Sequence, residues 1–519
     1  MQTLTLVKQN LYSDSVTLMR MSNQVSQLEG VLDALVGMAT DLNKELLRNM
    51  GAATPEAEAA GPNDLIIGVS ARNEEACQAA LTAIDGLFAQ KKRVVSGNAG
   101  EVVYESIGQA VESEEGLNMA VVSVPGAYAA RECRIAMENG MNVFLFSDNV
   151  TIEEEILLKD IAGGLGLLMM GPDCGTAIIN GVPLGFANAV RRGGIGIVAA
   201  SGTGLQHVTC LLDTLGAGVS QAIGVGGRDL SARVGGRTAL AALDAVGSDP
   251  ETKVVVILSK PPAPEVAEKV LSKARAIGKP VVLCLFGREM SGELGSVTLC
   301  PDLEQTALTA ARLYLGRPVE LDDALFSREK ADAFRRSRNP EQKYVRGIFC
   351  GGTVCDEAMV TFRNLGIPMR SNIPLSEVER LADVGTSEGS TFIDMGDDYF
   401  TRGKPHPMID PSLRNKRIVA DALMPDTAVM LVDVELGYGS HPDPAGILVE
   451  AVREANRRLA ETSPDGRGIL WIASLIGTRG DPQGFEDQTR KLLEAGFVVS
   501  ESNVRAARLA ASVIQEGAI

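Results

Sequence analysis

A single pattern recurs through most of this chain: a short, mainly apolar run, a small-residue turn, then an amphipathic helical stretch. The runs are MAVVSVPG (119–126), NVFLFSDNV (142–150), GIGIVAA (194–200), KVVVILSK (253–260), KPVVLCLFG (279–287), AVMLVDVELGYG (428–439) and GILWIASLIG (468–477). A strand that is apolar on both faces must be covered on both faces. Between helices, that means a parallel sheet sandwiched by helical layers, an α/β fold. The 519 residues are enough for three or four domains of ordinary size.

The punctuation divides the chain. Residues 1–95 read as a small α+β domain. Its strand candidates are TLTLVK (3–8), VLDALVGM (31–38) and LIIGVSA (65–71), and a long helix runs from Asn73 to about Gln90. Residues 96–192 read as a Rossmann-like domain, with Thr151 as N-cap of its second helix. Residues 193–320 form a second parallel block. Residues 321–343, charged and without β-runs, read as a linker, and 344–519 form a third block. The second and third blocks share one layout and read as distant structural repeats.

Composition narrows the function. The net charge is −17, and aromatics are 4% with one Trp. An acidic chain with so few stacking rings is a poor nucleic-acid binder, so none is expected. No run approaches the ~18 apolar residues of a membrane span, and the start lacks a basic region followed by an apolar one. The eight cysteines are scattered, with no CxxC, as in a reducing cytoplasm. A cytoplasmic protein without a membrane partner is expected.

Two strand–turn–helix junctions carry the strongest chemical signal. Ser201, Gly202, Thr203 and Gly204 follow one apolar strand; Gly351, Gly352 and Thr353 follow another. A helix start offers unpaired N–H groups and partial positive charge, which suits phosphate or carboxylate. The alternative is that Ser201 and Thr353 are ordinary N-caps. Lys260 stands at the carboxyl end of a parallel strand, where ligands of such sheets gather, either as an anion holder or as a solvated lysine. Arg228 lies in a glycine-rich turn whose glycines also serve turn geometry.

Residues 391–414 are dense in polar groups and, given their prolines, are expected to be loop. They hold Arg402, Lys404, His406 and Asp410. His406 and His441 each neighbour a proline, which holds an imidazole stiffly, as acid–base work or anion binding requires; a hydrogen-bonded capping loop is the alternative. His406 with Asp410, or His441 with Asp443, is too sparse a set for a metal, so no metal site is assigned. His207, inside a helix, reads as a packing residue. Cys174, Cys350 and Cys355 read as packing residues too.

MGPDCGTAIING (170–181), GIGIVAASGTG (194–204), IGVGGRDLS (223–231), FCGGTVCDEA (349–358) and GKPHPMIDPSLR (403–414) together resemble the FdrA family of succinyl-CoA-synthetase-like proteins. The resemblance covers nearly the whole chain. It implies a ligase α-subunit layout over about 96–320: a Rossmann-like CoA-binding-type domain, then a flavodoxin-like one. It also implies a flavodoxin-like β-subunit carboxy-terminal domain over about 345–519. In such ligases two helix starts face one phosphate carried on histidine, and the matching positions are Ser201–Gly204 and Gly351–Thr353. Three parts of the ligase are missing. REMSGELGSV (288–297) has no histidine where the phosphohistidine loop belongs, no ATP-grasp domain precedes the last block, and the early CoA loop is replaced by the α+β unit. Lys260 stands where the ligases carry a glutamate.

The resemblance therefore implies a subunit of a carbamoyltransferase of allantoin catabolism, of the oxamate carbamoyltransferase type. It would move a carbamoyl group between oxalurate or oxamate and phosphate. His406, Lys260 and Arg402 are the expected catalytic residues, with Lys404, Asp410, Arg228 and His441 as further candidates around the phosphate turns. Phosphate and carbamoyl phosphate would be substrates. No covalent cofactor and no tight CoA binding are expected. Other protein subunits, and copies of the chain itself, are the expected partners. An acyl-CoA ligase completed by partner chains is the rival reading, and a non-catalytic scaffold the third.

Overall fold

In a computed structural model, the described residues are 2–9, 11, 15–28, 30–61, 64–94, 103–286, 291–322, 325–402, 404–462 and 467–515. The chain divides into two compact units. One is Met1–Ser113 with Asp398–Pro405; the other is Glu114–Asp397 with His406–Ile519. The sequence boundary at 95/96, and the first residues of REMSGELGSV (288–290), lie outside the described residues.

The first unit holds β1 (Gln2–Lys8), α1 (Ser15–Ser26), β2 (Val31–Met38), α2 (Asp41–Asn49), α3 (Pro55–Ala59), β3 (Leu65–Ala71), α4 (Glu74–Val94) and α5 (Ile107–Ser113). Its sheet is antiparallel in the order β1-β3-β2. The central strand, LIIGVSA, is buried along its whole length. Leu65, Ile67 and Val69 pack with Leu18, Val25, Ala80 and Ile84 on one face, and Ile66 with Leu47 and Ala57 on the other.

The second unit opens with a three-stranded parallel sheet of β4 (Met119–Val122), β5 (Asn142–Leu145) and β6 (Met169–Met170), joined by α6 (Gly126–Glu138) and α7 (Ile152–Leu165). Thr151 and Glu154 close a reciprocal capping box at the start of α7. The hairpin β7 (Thr176–Ile179) and β8 (Val182–Gly185) then joins the next sheet through Ile178 opposite Ala222. Strand pairing thus runs across the 192/193 division expected from the sequence.

That next sheet is built on β9 (Arg192–Ala200), α8 (Gly202–Thr214), β10 (Val219–Gly224), α9 (Arg237–Ser248), β11 (Val254–Ser259), α10 (Pro264–Ala276), β12 (Val281–Leu285), β13 (Gly292–Leu294), β14 (Val297–Leu299) and α11 (Leu303–Leu315). Its order is β13-β14-β12-β11-β9-β10-β7-β8. The stretch read as a linker contains α12 (Arg328–Ser337), whose Ala331 enters the main core. Its heavy charge hid an amphipathic helix.

The last sheet comprises β15 (Tyr344–Phe349), α13 (Gly352–Asn364), β16 (Met369–Ser371), β17 (Ser390–Asp394), α14 (Asp398–Thr401, in the first unit), α15 (Ser412–Ala422), β18 (Thr427–Glu435), α16 (Pro444–Thr462), β19 (Leu470–Ile476), α17 (Phe485–Glu494), β20 (Val498–Ser500) and α18 (Asn503–Ile514). It is parallel, ordered β16-β17-β15-β18-β19-β20. The 391–414 stretch is therefore not all loop: it contains most of β17, all of α14 and the start of α15.

One apolar layer joins these two sheets. Leu205, Val208 and Leu211 of α8, Ala307 and Ala310 of α11, Val354, Ala358 and Phe362 of α13, and Ala506, Ala507, Ala510 and Ala511 of α18 belong to it, with residues of both sheets. Alanine along α11 and α18 lets helix axes approach closely. β9 lies between β10 and β11, and β15 between β17 and β18, so in each sheet later strands are added on both sides and the strand marks a switch point, where parallel sheets open a crevice.

Candidate functional site

The two switch points meet. Ser201 Oγ donates to Thr353 Oγ1 at 2.8 Å, so the starts of α8 and α13 face each other. Neither helix has a side-chain cap. The alternative of ordinary N-caps is therefore not what Ser201 and Thr353 do; their hydroxyls join the two turns. Gly202 is exposed and Gly352 half-buried, which leaves the first turns open to a ligand. Each such helix start stabilises an anion by roughly 0.3–1 kcal/mol, more where water is excluded.

The strands beside β9 and β15 supply charge. Lys260 directly follows β11, which pairs with β9; Asp394 ends β17, which pairs with β15. Both come to the start of α13. A methyl on Gly352 would stand 2.6 Å from Asp394 Oδ2 and 2.8 Å from Lys260 Nζ, so only glycine lets both groups close on this turn. Lys260 also lies 3.8 Å from Asp356 Oδ2 of α13 and is 38% exposed. Burial pulls its ammonium down, but Asp356, Asp394 and Asp173 more than offset this and hold it above the usual lysine value. Burial pushes Asp394 up to about 7 and Asp356 up to about 6, although Lys260 opposes both shifts.

His406 borders the same corner. Met408 N–H donates to His406 Nδ1 at 3.2 Å, which places the proton of the neutral ring on Nε2. Burial lowers this imidazole to about 4, so it is neutral near pH 7. Its Nε2 would stand 2.6 Å, and Asp394 Oδ1 3.1 Å, from a methyl on Gly396. The ring packs on Phe186 with centroids 5.3 Å apart.

Sequence reasoning missed the anchor of the second turn. Asp433 of β18 is fully buried and accepts N–H bonds from Cys350 (2.8 Å) and Gly351 (2.9 Å). Arg414 pairs with it at 2.7 Å and also donates to the carbonyls of Ile348 and Asp433. The signal was a pair of acids, Asp433 and Glu435, inside an otherwise apolar run, which a buried strand tolerates only where the charge is paired or neutralised. Ligand atoms of Cys350, Asp433 and Glu435 lie within 4.8 Å of one another. Asp433 already satisfies two N–H groups and a guanidinium, so this cluster is an anchor for the turn.

The other candidates have local duties. Arg228 ties Glu155 and the carbonyl of Val150 to its turn. Asp410 accepts from the N–H and hydroxyl of Ser412 at the start of α15. His441 Nδ1 accepts from Asp443 N–H at 3.0 Å, and the ring lines a small cavity of about 10 Å³ with Cys350, Arg414, Asn415 and Glu435. Arg402 and Lys404 belong to the first unit, so the expected trio with His406 does not come from one body. His207 is buried on α8 against the carbonyl of Glu501 and lowered to about 4 by burial. All eight cysteines are free and buried, and burial drives the Cys174 thiol to about 12, unsuited to attack.

An uncharacterized protein, YahF, of Escherichia coli is 44% identical over 98% of this chain and 98% of its own length. The chain belongs to the YahF family. Residues 348–513 match a model described as CoA-ligase, and residues 191–286 one described as CoA binding domain. The latter covers the block holding β9 and α8, whereas the sequence reading gave the CoA-binding type to 96–192. The chain has a succinyl-CoA-synthetase-like α/β fold. Succinate–CoA ligase α subunits of Aquifex aeolicus and Archaeoglobus fulgidus are 27% and 30% identical over 36% and 35% of the chain. The chain spans 62% and 63% of their lengths. The dinucleotide-forming acetyl-coenzyme A synthetase 1 of Ca. Korarchaeum cryptofilum aligns over 81% of this chain and 86% of its own, at 17% identity and a TM-score of 0.34.

Residues 1–103 match a model described as AllF, heavy metal-associated domain. The stretch lacks the paired cysteines that clasp a soft metal ion through thiolates. That stretch contains no histidine and a single cysteine, Cys77, which is 1% exposed and donates to the carbonyl of Gln2. Among the described residues no helix is long and apolar enough to cross a membrane.

Proposed function

We propose that this chain is the phosphate-binding subunit of a transferase that moves a carbamoyl group between phosphate and a small carboxylated amide, oxalurate or oxamate. One observation carries the reading: two uncapped helix starts joined through Ser201 and Thr353, with Lys260 beside them. The match of residues 1–103 to a model named for AllF supports a place in allantoin breakdown.

In the phosphorolytic direction a phosphate oxygen attacks the carbamoyl carbon, and the oxamate nitrogen leaves. Negative charge grows on the carbonyl oxygen. The Nε2–H of neutral His406 is a donor suited to that oxygen, and Lys260 with the two helix starts holds phosphate. No covalent intermediate on the protein is required, which agrees with the missing histidine at 288–297. Arg402 and Lys404 have no role in this reading. Cytoplasmic location, partner subunits and self-association are carried forward with it.

The test is purification with natural partners, followed by assay of carbamoyl phosphate with oxamate. Appearance of oxalurate and phosphate supports the reading; a complex that makes neither contradicts it. The second reading, an acyl-CoA ligase completed by partner chains, rests on the two CoA-related matches. Calorimetry separates them: the transferase reading expects no CoA affinity tighter than about 1 mM, some 4 kcal/mol. Micromolar CoA binding would favour the ligase.

A further inference from the structure

The charges around the start of α13 do not balance. Lys260 is one cation, and three carboxylates act on it: Asp356 from α13, Asp394 from β17 and Asp173 from the turn after β6. Asp433 lies nearby, but Arg414 neutralises it. A dianion entering this corner meets a surplus of negative charge. Asp356 and Asp394, the two of these carboxylates whose pKa burial raises, are each 5% exposed, and it is Asp394 whose Oδ2 shares the Gly352 corner with the Lys260 ammonium. Its Oδ1 is occupied by Gly396 N–H at 2.8 Å, so Oδ2 is the oxygen that faces the helix start.

We propose that the site takes up its anion together with a proton on Asp394, and that Asp394 passes this proton to the nitrogen that leaves. The proposal rests on the phosphate-dependent carbamoyl transfer argued above. Burial already lifts Asp394 to about 7, so the proton is available near neutral pH, and a bound anion raises it further. Asp356 and Asp397 act on Asp394 in the same direction and Lys260 in the opposite one; His406, near the other oxygen, is neutral.

The step balances. A phosphate oxygen forms its bond to the carbamoyl carbon, and the carbon–nitrogen bond breaks with its electron pair going to nitrogen. The Asp394 carboxyl protonates that nitrogen and is reprotonated by the phosphate hydroxyl. Oxalurate and HPO₄²⁻ become oxamate and carbamoyl phosphate, with one proton moved from phosphate to nitrogen.

Sulfate is the probe for the first half, because it stays fully ionised across the range and any proton taken up belongs to the protein. Calorimetric titration of the full chain at pH 6–8, in two buffers of different ionisation heat, should show proton uptake and roughly tenfold weaker binding per pH unit above about 7. Asp394→Asn should bind sulfate without that slope. In the assembled enzyme it should lose turnover about 10²-fold or more, with the KM for phosphate not raised. An unchanged pH slope in Asp394→Asn, or near-full turnover, overturns the assignment while leaving the anion site intact. Failure of the wild-type chain to bind sulfate at any pH overturns the site itself, and the proton with it.

Discussion

The junctions β9–α8 and β15–α13 share one plan: apolar strand, two or three small residues, uncapped helix, switch point. They differ in how they are held. The second is clamped from beneath by Asp433 and Arg414, which fix the N–H groups of Cys350 and Gly351. The first keeps Gly202 exposed, where Gly352 of the second is half-buried. They also differ in the residue at the end of the flanking strand: Lys260 after β11 beside β9, Asp394 at the end of β17 beside β15. Both side chains reach the start of α13, so a repeated fold element brings one cation and one carboxylate to the same opening. The comparison teaches that equal topology leaves the chemistry to the single residue ending each flanking strand.

The sharpest way to break this contrast is Asp433→Ala. It strands a buried guanidinium and two N–H groups, and breaking a buried pair costs about 3–5 kcal/mol. The urea midpoint should fall accordingly; an unchanged midpoint would mean the second turn needs no clamp.

On the catalytic side, Lys260→Met should abolish measurable phosphate binding. His406→Ala should cut turnover of the assembled enzyme about 10²–10³-fold, the usual cost of one transition-state donor, without unfolding it. If His406→Ala keeps near-full activity, the imidazole is structural and the donor lies at His441 or in a partner chain.

A pH-dependent effect follows from Asp394. Its folded carboxyl sits near 7, above the ordinary value of 3.8. Between those pH values the native state holds more protons than the unfolded one, so stability falls as pH rises through the window and stays lower above it. Asp394→Asn removes this penalty. Its advantage over the wild type in denaturant melts should grow from pH 4 to 7 and then level; an advantage constant with pH would show that the carboxyl titrates normally. Last and smallest, Ser201→Ala removes one hydroxyl bond to Thr353, with an expected loss of about 0.5–1.5 kcal/mol. A larger loss would make the hydroxyl pair a structural clasp.

Much of this was legible in the residues. LIIGVSA reads as a buried strand because it is apolar throughout, and the two turns read as helix starts because Ser/Gly/Thr break an apolar run. Lys260 was found by its place after KVVVILS. Asp394 falls in the stretch read as loop because the five-residue strand STFID ends in an acid and is followed by MGDD, which swamps so short a β signal. The partnership of Asp433 with Arg414 joins residues that only the packing of α15 on β15 and β18 brings together, so spacing could not reveal it. The helix α12 was hidden for a third reason: its apolar stripe is narrow, and charge dominates its composition.

The central claim is that the starts of α8 and α13 form one anion site with Lys260. A crystal structure of the chain grown with phosphate tests it directly. The account predicts a tetrahedral anion between Ser201–Gly204 and Gly351–Thr353, within hydrogen-bond reach of Lys260 Nζ and of backbone N–H groups from both helices. Phosphate bound elsewhere, with this opening holding water alone and the Ser201–Thr353 bond intact, would contradict it.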